Sequence, residues 1–139
     1  MEPIRMHYEV DGTDFIAAGS ASVELKKVLK NIGLPAESIR RATICMYEGE
    51  LNMVLHADGG TADIAISGDQ VEIVLSDRGP GIPDIELAMK EGWSTASDNV
   101  RNLGFGAGMG LPNMRSNADD MEVRSEVGVG TTITMKINI

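Results

Sequence analysis

"LGFGAGMGLPNM", residues 103–114, places Gly104, Gly106, Gly108 and Gly110 at every second position and then runs into a helix-compatible segment. A glycine cluster of this kind cradles a phosphate, works as a hinge or simply makes a loose loop. Spacing narrows the choice. A dinucleotide fingerprint needs G-x-G-x-x-G after an early strand. Counted from Gly104 the third glycine falls on Met109, counted from Gly106 it falls on Leu111, and the motif lies late in the chain. A P-loop needs Gly-Lys-Ser/Thr, and the chain has no Gly-Lys pair. The H-R-D and D-F-G signatures of protein kinases are absent as well. What is left is a flexible glycine loop entering a helix N-terminus, where backbone amides and the helix dipole hold an anion without a lysine. By itself the stretch still fits a hinge or a plain loop.

The rest of the chain sets the context. It has 139 residues and reads as one domain over residues 1–139. Hydrophobic residues make up 42% and the net charge is −9. Such acidity argues against a nucleic-acid binder, which carries a basic stripe. A single cysteine, Cys45, excludes an internal disulfide and suits a reducing compartment. No apolar run approaches the roughly 18 residues of a membrane span. "MEPIRMHYEV" has no apolar core of a signal peptide, so a cytoplasmic location is expected.

Periodicity predicts a strand over residues 4–10 and a helix over 21–32 that Gly33 stops. A second helix starts at Pro35 and runs to about residue 57. Strands follow over 61–67 and 70–77, joined by a tight turn, then a short helix over 84–90. Residues 92–106 read as a long loop, and a helix covers about 108–118. A closing hairpin has strands near 122–126 and 131–139. Tight turns between most sequential strands predict an α+β, two-layer sandwich: a mixed, largely antiparallel sheet with helices on one face.

Three side-chain patterns carry chemistry. In "CMYEGELNMVLHA", Glu48, Asn52 and His56 recur at i, i+4, i+8 and share a helix face. Ile44, Tyr47, Leu51, Val54 and Leu55 are expected on the adjoining apolar face. Asn52 is a candidate neutral oxygen ligand for Mg²⁺, and Glu48 a candidate base near a γ-phosphate. An ordinary solvated polar face explains the spacing too. Glu50 is expected to face solvent, and His56 to serve the helix dipole. In "QVEIVLSDRGPGIPD", Val71, Ile73, Leu75 and Asp77 share a strand face, so a carboxylate ends an inward-pointing apolar row. Asp77 either accepts from an exocyclic amine, as on adenine, or caps the turn. Gly79 and Gly81 leave room for a flat base. Thr131, Ile133, Met135 and Ile137 repeat the parity, which puts Thr131 inward beside Asp77, although a plain strand-former fits equally.

Taken in order, E-x-x-x-N, D-x-G-x-G and G-x-G-x-G resemble the N, G1 and G2 boxes of the Bergerat-fold ATPases, which include DNA gyrase B, MutL and the histidine kinases. "DRGPGIPDIELAMKEGWST", "GFGAGMGLPNM" and "SEVGVGTTI" look most like the anti-sigma-factor serine kinases of bacterial partner switching, in particular the switch kinase of the stressosome. The resemblance implies ATP with Mg²⁺ on Asn52 and Glu48 as general base. It implies Asp77 as reader of the adenine amine, with Gly79, Gly81 and Ile82 at the base and Thr131 in support. It also implies Gly104, Phe105, Gly106, Ala107, Gly108, Met109, Gly110 and Leu111 around the phosphates, and an ATP lid over about 92–106. The implied activity is transfer of the γ-phosphate to a serine of an antagonist with a sulfate-transporter/anti-sigma-antagonist (STAS) fold. Implied partners are that antagonist, a sigma factor or other regulator, and a second copy of the chain. Nucleic acid and membrane are not among them. The alternative is a non-catalytic, nucleotide-gated module that sequesters a partner. A detached histidine-kinase domain ranks third, because no dimerisation helices or phosphoacceptor histidine segment are expected ahead of the domain, with His7 in a strand and His56 at a helix end. Two features depart from the pattern. Gly49 sits mid-helix at a cost of about 1 kcal/mol against alanine, and "STASDNVRNL" is longer than the switch kinase has.

Overall fold

The computed structural model describes residues 2–12, 19–57, 59–90 and 110–139. In chain order the elements are β1 (Ile4–Asp11), α1 (Ser20–Ile32), α2 (Ala36–His56), β2 (Gly59–Ile66) and β3 (Gln70–Asp77). Next come α3 (Ile85–Ala88), α4 (Gly110–Asn117), β4 (Asp120–Glu126) and β5 (Gly130–Asn138). Most boundaries fall within two residues of the sequence expectation. Pro35 caps α2 from just outside it, and Asp84 caps α3 by accepting from the Leu87 amide at 3.1 Å. Gly33 ends α1 with φ of 89°, its N–H reaching the Leu29 and Lys30 carbonyls.

The five strands pair in the order β1-β2-β3-β5-β4. All four pairings are antiparallel, so the sheet is not mixed as expected. Strand period-2 patterning decides what faces inward. Ala62, Leu75 and Ile133 lie in one cross-strand row, Ile64, Ile73 and Met135 in the next, and Ile66, Val71 and Ile137 in the third. All nine are buried. They form the floor under Leu25 and Leu29 of α1 and Ala42, Met46 and Met53 of α2. Removing such side chains from water is worth about 1.5–3 kcal/mol each. The opposite parity of the sheet carries residues such as Arg5, His7, Asp63, Glu72, Lys136 and Arg124. The expected two layers, with helices on one face, are therefore present.

Helix α2 is packed on more sides than its apolar pattern suggests. Ile39, Ala42, Cys45, Met46, Gly49, Glu50, Met53 and Val54 are buried. Ile44, Leu51 and Leu55 are only half-buried, and Tyr47 is 39% exposed. The expected apolar face was thus rotated from the true one, with Val54 alone correctly placed. Gly49 explains the rotation. A β-carbon there would lie 2.1 Å from Leu75 Cδ1, so the missing side chain lets α2 settle onto β3. Among the described residues no helix is long and apolar enough to cross a membrane.

Candidate functional site

Glu48 and Asn52 sit one turn apart on α2. Helix α4 lies against that side of α2 and runs antiparallel to it. Arg41 donates to the Asn117 carbonyl at 2.9 Å and to Asp119 Oδ2 at 2.8 Å. One turn on, the Cys45 thiol reaches the Met114 carbonyl at 3.6 Å. Another turn on, Glu48 Oε1 accepts from Asn113 Nδ2 at 3.1 Å. This register brings the first residue of α4 to the motif side chains: a methyl group on Gly110 would stand 3.7 Å from Glu48 Oε2 and 4.0 Å from Asn52 Oδ1. The glycine leaves a space bounded by a carboxylate, an amide and a helix N-terminus.

Burial pushes the Glu48 carboxyl above the ordinary carboxylate range, and the Asn113 hydrogen bond pulls it back down. A half-buried carboxylate with raised proton affinity suits a group that takes a proton. The half-buried Asn52 side chain makes no hydrogen bond to the described residues. An unpartnered amide oxygen beside a carboxylate fits Mg²⁺, which takes hard oxygen donors and fills its shell from water and phosphate.

The second part of the site lies where β3 ends. Asp77 and Thr131 are paired in register, as their parities predict. Asp77 Oδ1 accepts from the Gly79 amide at 2.9 Å and the Thr131 amide at 3.2 Å. The turn cap, one of the two sequence alternatives for Asp77, is what these bonds show. Oδ1 caps the turn, and Oδ2 accepts nothing from the described residues. Thr131 is buried, and its hydroxyl shares a 2.8 Å hydrogen bond with Ser125 Oγ. Ser125 also accepts from the Ile82 amide at 2.7 Å, fastening the loop after β3 to β4. Close backbone approach demands the glycines of that loop. Gly79 packs on Ala57, 2.7 Å from where its β-carbon would be. Gly81 has φ of 80° and lies against the Glu126 carbonyl.

Gly110 and Leu111 are the two members of the expected phosphate loop within the described residues, and the Leu111 side chain packs into the core. Gly104, Phe105, Gly106, Ala107, Gly108, Met109 and the expected lid lie outside them. Three polar residues in these networks escaped the sequence expectation. Asn113 gave no periodic signal. Ser125 shares inward parity with Met121 and Val123, the same signal that marked Asp77. Glu50, expected to face solvent, is instead buried. Its Oε2 accepts from the Gly19 and Ala21 amides at 3.1 and 3.2 Å, and its Oε1 from the Ser22 amide at 2.6 Å. A carboxylate from α2 thereby caps the N-terminus of α1, which no local side chain caps.

A helical layer thus lies on an antiparallel sheet, with a carboxylate–amide pair facing the start of α4. The chain belongs to the histidine kinase-, DNA gyrase B- and HSP90-like ATPase family, whose profile matches residues 38–139. It is 32% identical over 112 residues to the serine/threonine-protein kinase RsbT of Bacillus subtilis, covering 78% of each chain. It is 33% identical over 100 residues to the anti-sigma F factor of Thermoanaerobacter sp., covering 72% of this chain and 62% of that protein. The fold also matches, with a TM-score of 0.66 and 18% identity, a crystal structure of the RsbU and RsbW domains of Rv1364c from Mycobacterium tuberculosis. That match covers 96% of this chain and 32% of the other.

Proposed function

We propose that this protein is an ATP-dependent serine kinase and anti-sigma-type regulator of a bacterial partner-switching system. The observation that carries this is the space at Gly110, where Glu48 Oε2 and Asn52 Oδ1 face the first residue of α4. The γ-phosphate would lie there, against the amides at the start of α4. Asn52 would hold Mg²⁺, which when bound neutralises phosphate charge. Glu48 takes the proton of an incoming serine hydroxyl. The serine oxygen forms a bond to the γ-phosphorus as the bond to the β–γ bridging oxygen breaks, and ADP leaves. Asp77 Oδ2, held in place by the two amides on Oδ1, would accept from the adenine amine. Gly79, Gly81 and Ile82 would border the base and Thr131 would hold Asp77 in register. Similarity to RsbT and to anti-sigma F factors supports a STAS-domain antagonist as phosphate acceptor and a sigma factor or other regulator as second partner.

The test is phosphate transfer from ATP to a STAS-domain antagonist captured by the protein. Glu48→Gln should keep ATP binding and lose transfer by about a hundredfold or more. Transfer at the wild-type rate in Glu48→Gln would remove Glu48 as the base. Absence of transfer by the wild-type protein, with partner affinity that differs between ATP and ADP, would leave a nucleotide-gated binding module in place of a kinase.

A further inference from the structure

We infer that Asn113 is a positioning residue for the reaction: its amide, carried on α4, holds the Glu48 carboxylate in orientation and thereby ties the state of the base to the docking of the helix that follows the glycine loop. The inference rests on the reading of Glu48 as the base. Its ground is geometric. Asn113 Nδ2 donates to Glu48 Oε1 at 3.1 Å, while Gly110, one turn earlier on α4, faces Oε2. One carboxylate oxygen is therefore pinned and the other is left toward the space for substrate. A Glu side chain on a helix has three rotatable bonds, and an unpinned carboxylate samples directions that miss a hydroxyl at the phosphate. Fixing it removes that loss. The Asn113 carbonyl oxygen is not involved: the side chain contributes its amide donor, while its backbone carbonyl accepts from Asn117 Nδ2 at 2.9 Å, which steadies the same turn.

Among the described residues no other group does this work. Among the described residues, burial and the Asn113 hydrogen bond are what move the Glu48 proton affinity. Cys45, one turn earlier on α2, is the titratable neighbour, and burial first of all pushes its thiol up to about 12, so it stays neutral beside Glu48. Glu50 is turned away to the start of α1. Arg41 and Asp119 meet at the far end of α4. A donor to one oxygen favours the ionised carboxylate, so its removal favours the protonated form.

The experiment uses the full chain without nucleotide, labelled with ¹³C at glutamate carboxyls, the Glu48 signal being assigned with Glu48→Gln. Asn113→Leu removes the donor at nearly constant size, and Asn113→Gln keeps an amide donor. In Asn113→Leu the Glu48 titration should move to higher pH, and in Asn113→Gln it should move less. Cys45, covered by α4, reports helix docking, and its slow reaction with a disulfide reagent should stay slow in both variants. With Mg·ATP, the acid limb of the rate of phosphate release by the chain alone, water standing in for serine, should move the same way in Asn113→Leu. The rate at neutral pH should fall on the order of tenfold at unchanged ATP affinity. An unmoved Glu48 titration would overturn the inference. So would a newly reactive Cys45, which would make Asn113 a purely structural contact, or a faster phosphate release, which would make it a restraint on the base. Full activity of Glu48→Gln would instead sink the base assignment and leave the titration result standing.

Discussion

Glu50 shows how a single side chain can join two elements. Four N-terminal amides of any helix lack partners within the helix, and the residue before α1 is Gly19, with no side chain to offer. Glu50 supplies both carboxylate oxygens from α2 to three amides around that terminus. Truncation leaves buried donors without acceptors, each a loss of about 1–3 kcal/mol if no water replaces it. Glu50→Ala should therefore lower stability by about 2–4 kcal/mol in urea unfolding, and Glu50→Gln by less, since one amide oxygen still accepts. Its neighbour Gly49 has an opposite logic. Alanine there would gain about 1 kcal/mol of helix propensity but collide with Leu75, an overpacking cost of about 1–3 kcal/mol. Gly49→Ala alone should destabilise by about 1 kcal/mol. In a Leu75→Val background the penalty should shrink or change sign, and a double-mutant cycle with no coupling would contradict the packing.

At the scale of elements, the contact between α2 and α4 is a ladder of three polar rungs, Arg41, Cys45 and Glu48. The first rung is the anchor. Arg41 and Asp119 are 20% and 33% exposed, less open than a typical surface pair. Asp119 also accepts from the Asn138 amide at 2.6 Å, and this bond first, with Arg41 second, holds its carboxyl below the ordinary range. A lowered folded-state value means that its contribution is present above the unfolded value, about 4, and is lost as pH falls through the folded one. Asp119→Asn should therefore be less stable than the wild type at neutral pH, with the gap closing in acid below that range. A gap that persists in strong acid would rule out the charge as its source. Arg41→Met should loosen α4 and speed the reaction of Cys45 with a disulfide reagent, while helix content by circular dichroism changes little.

For the whole molecule, the sheet holds its two functional ends together. Asp77 and Thr131 sit at the end of the central ladder, and the loop after β3 folds back on Ala57, the residue just past α2. Asp77 on β3 and Glu48 and Asn52 on α2 are thus joined by direct packing of that loop and Gly49. Asp77→Asn should weaken ATP binding more than GTP binding in calorimetry, because the carboxylate accepts where the amide presents a donor. Equal losses would contradict adenine reading. Asn52→Ala should lose the most affinity when Mg²⁺ is present, and an unchanged magnesium dependence would count against its role as ligand.

Much of this arrangement is legible in the chain itself. Strand parity put Asp77 and Thr131 inward and side by side, because alternation along a strand is a local property of the backbone. The failed Rossmann and P-loop spacings, with E-x-x-x-N and D-x-G-x-G upstream, pointed to the family that residues 38–139 match. A helix is different. Its 3.6-residue period says that a face exists but not how many neighbours press on it. Helix α2 is covered by the sheet, by α1 and by α4, so Gly49 and Glu50 lie buried while Tyr47 does not. No local pattern announces that a carboxylate will cap a different helix, or that Asn113 will meet Glu48 across 65 residues of chain. The elements, the inward row ending in Asp77 and the order of the motifs follow from short-range geometry and are written in the chain. Which side of α2 is buried, what Glu50 caps and which amide holds Glu48 depend on contacts between segments far apart in the chain and emerge with the packed fold.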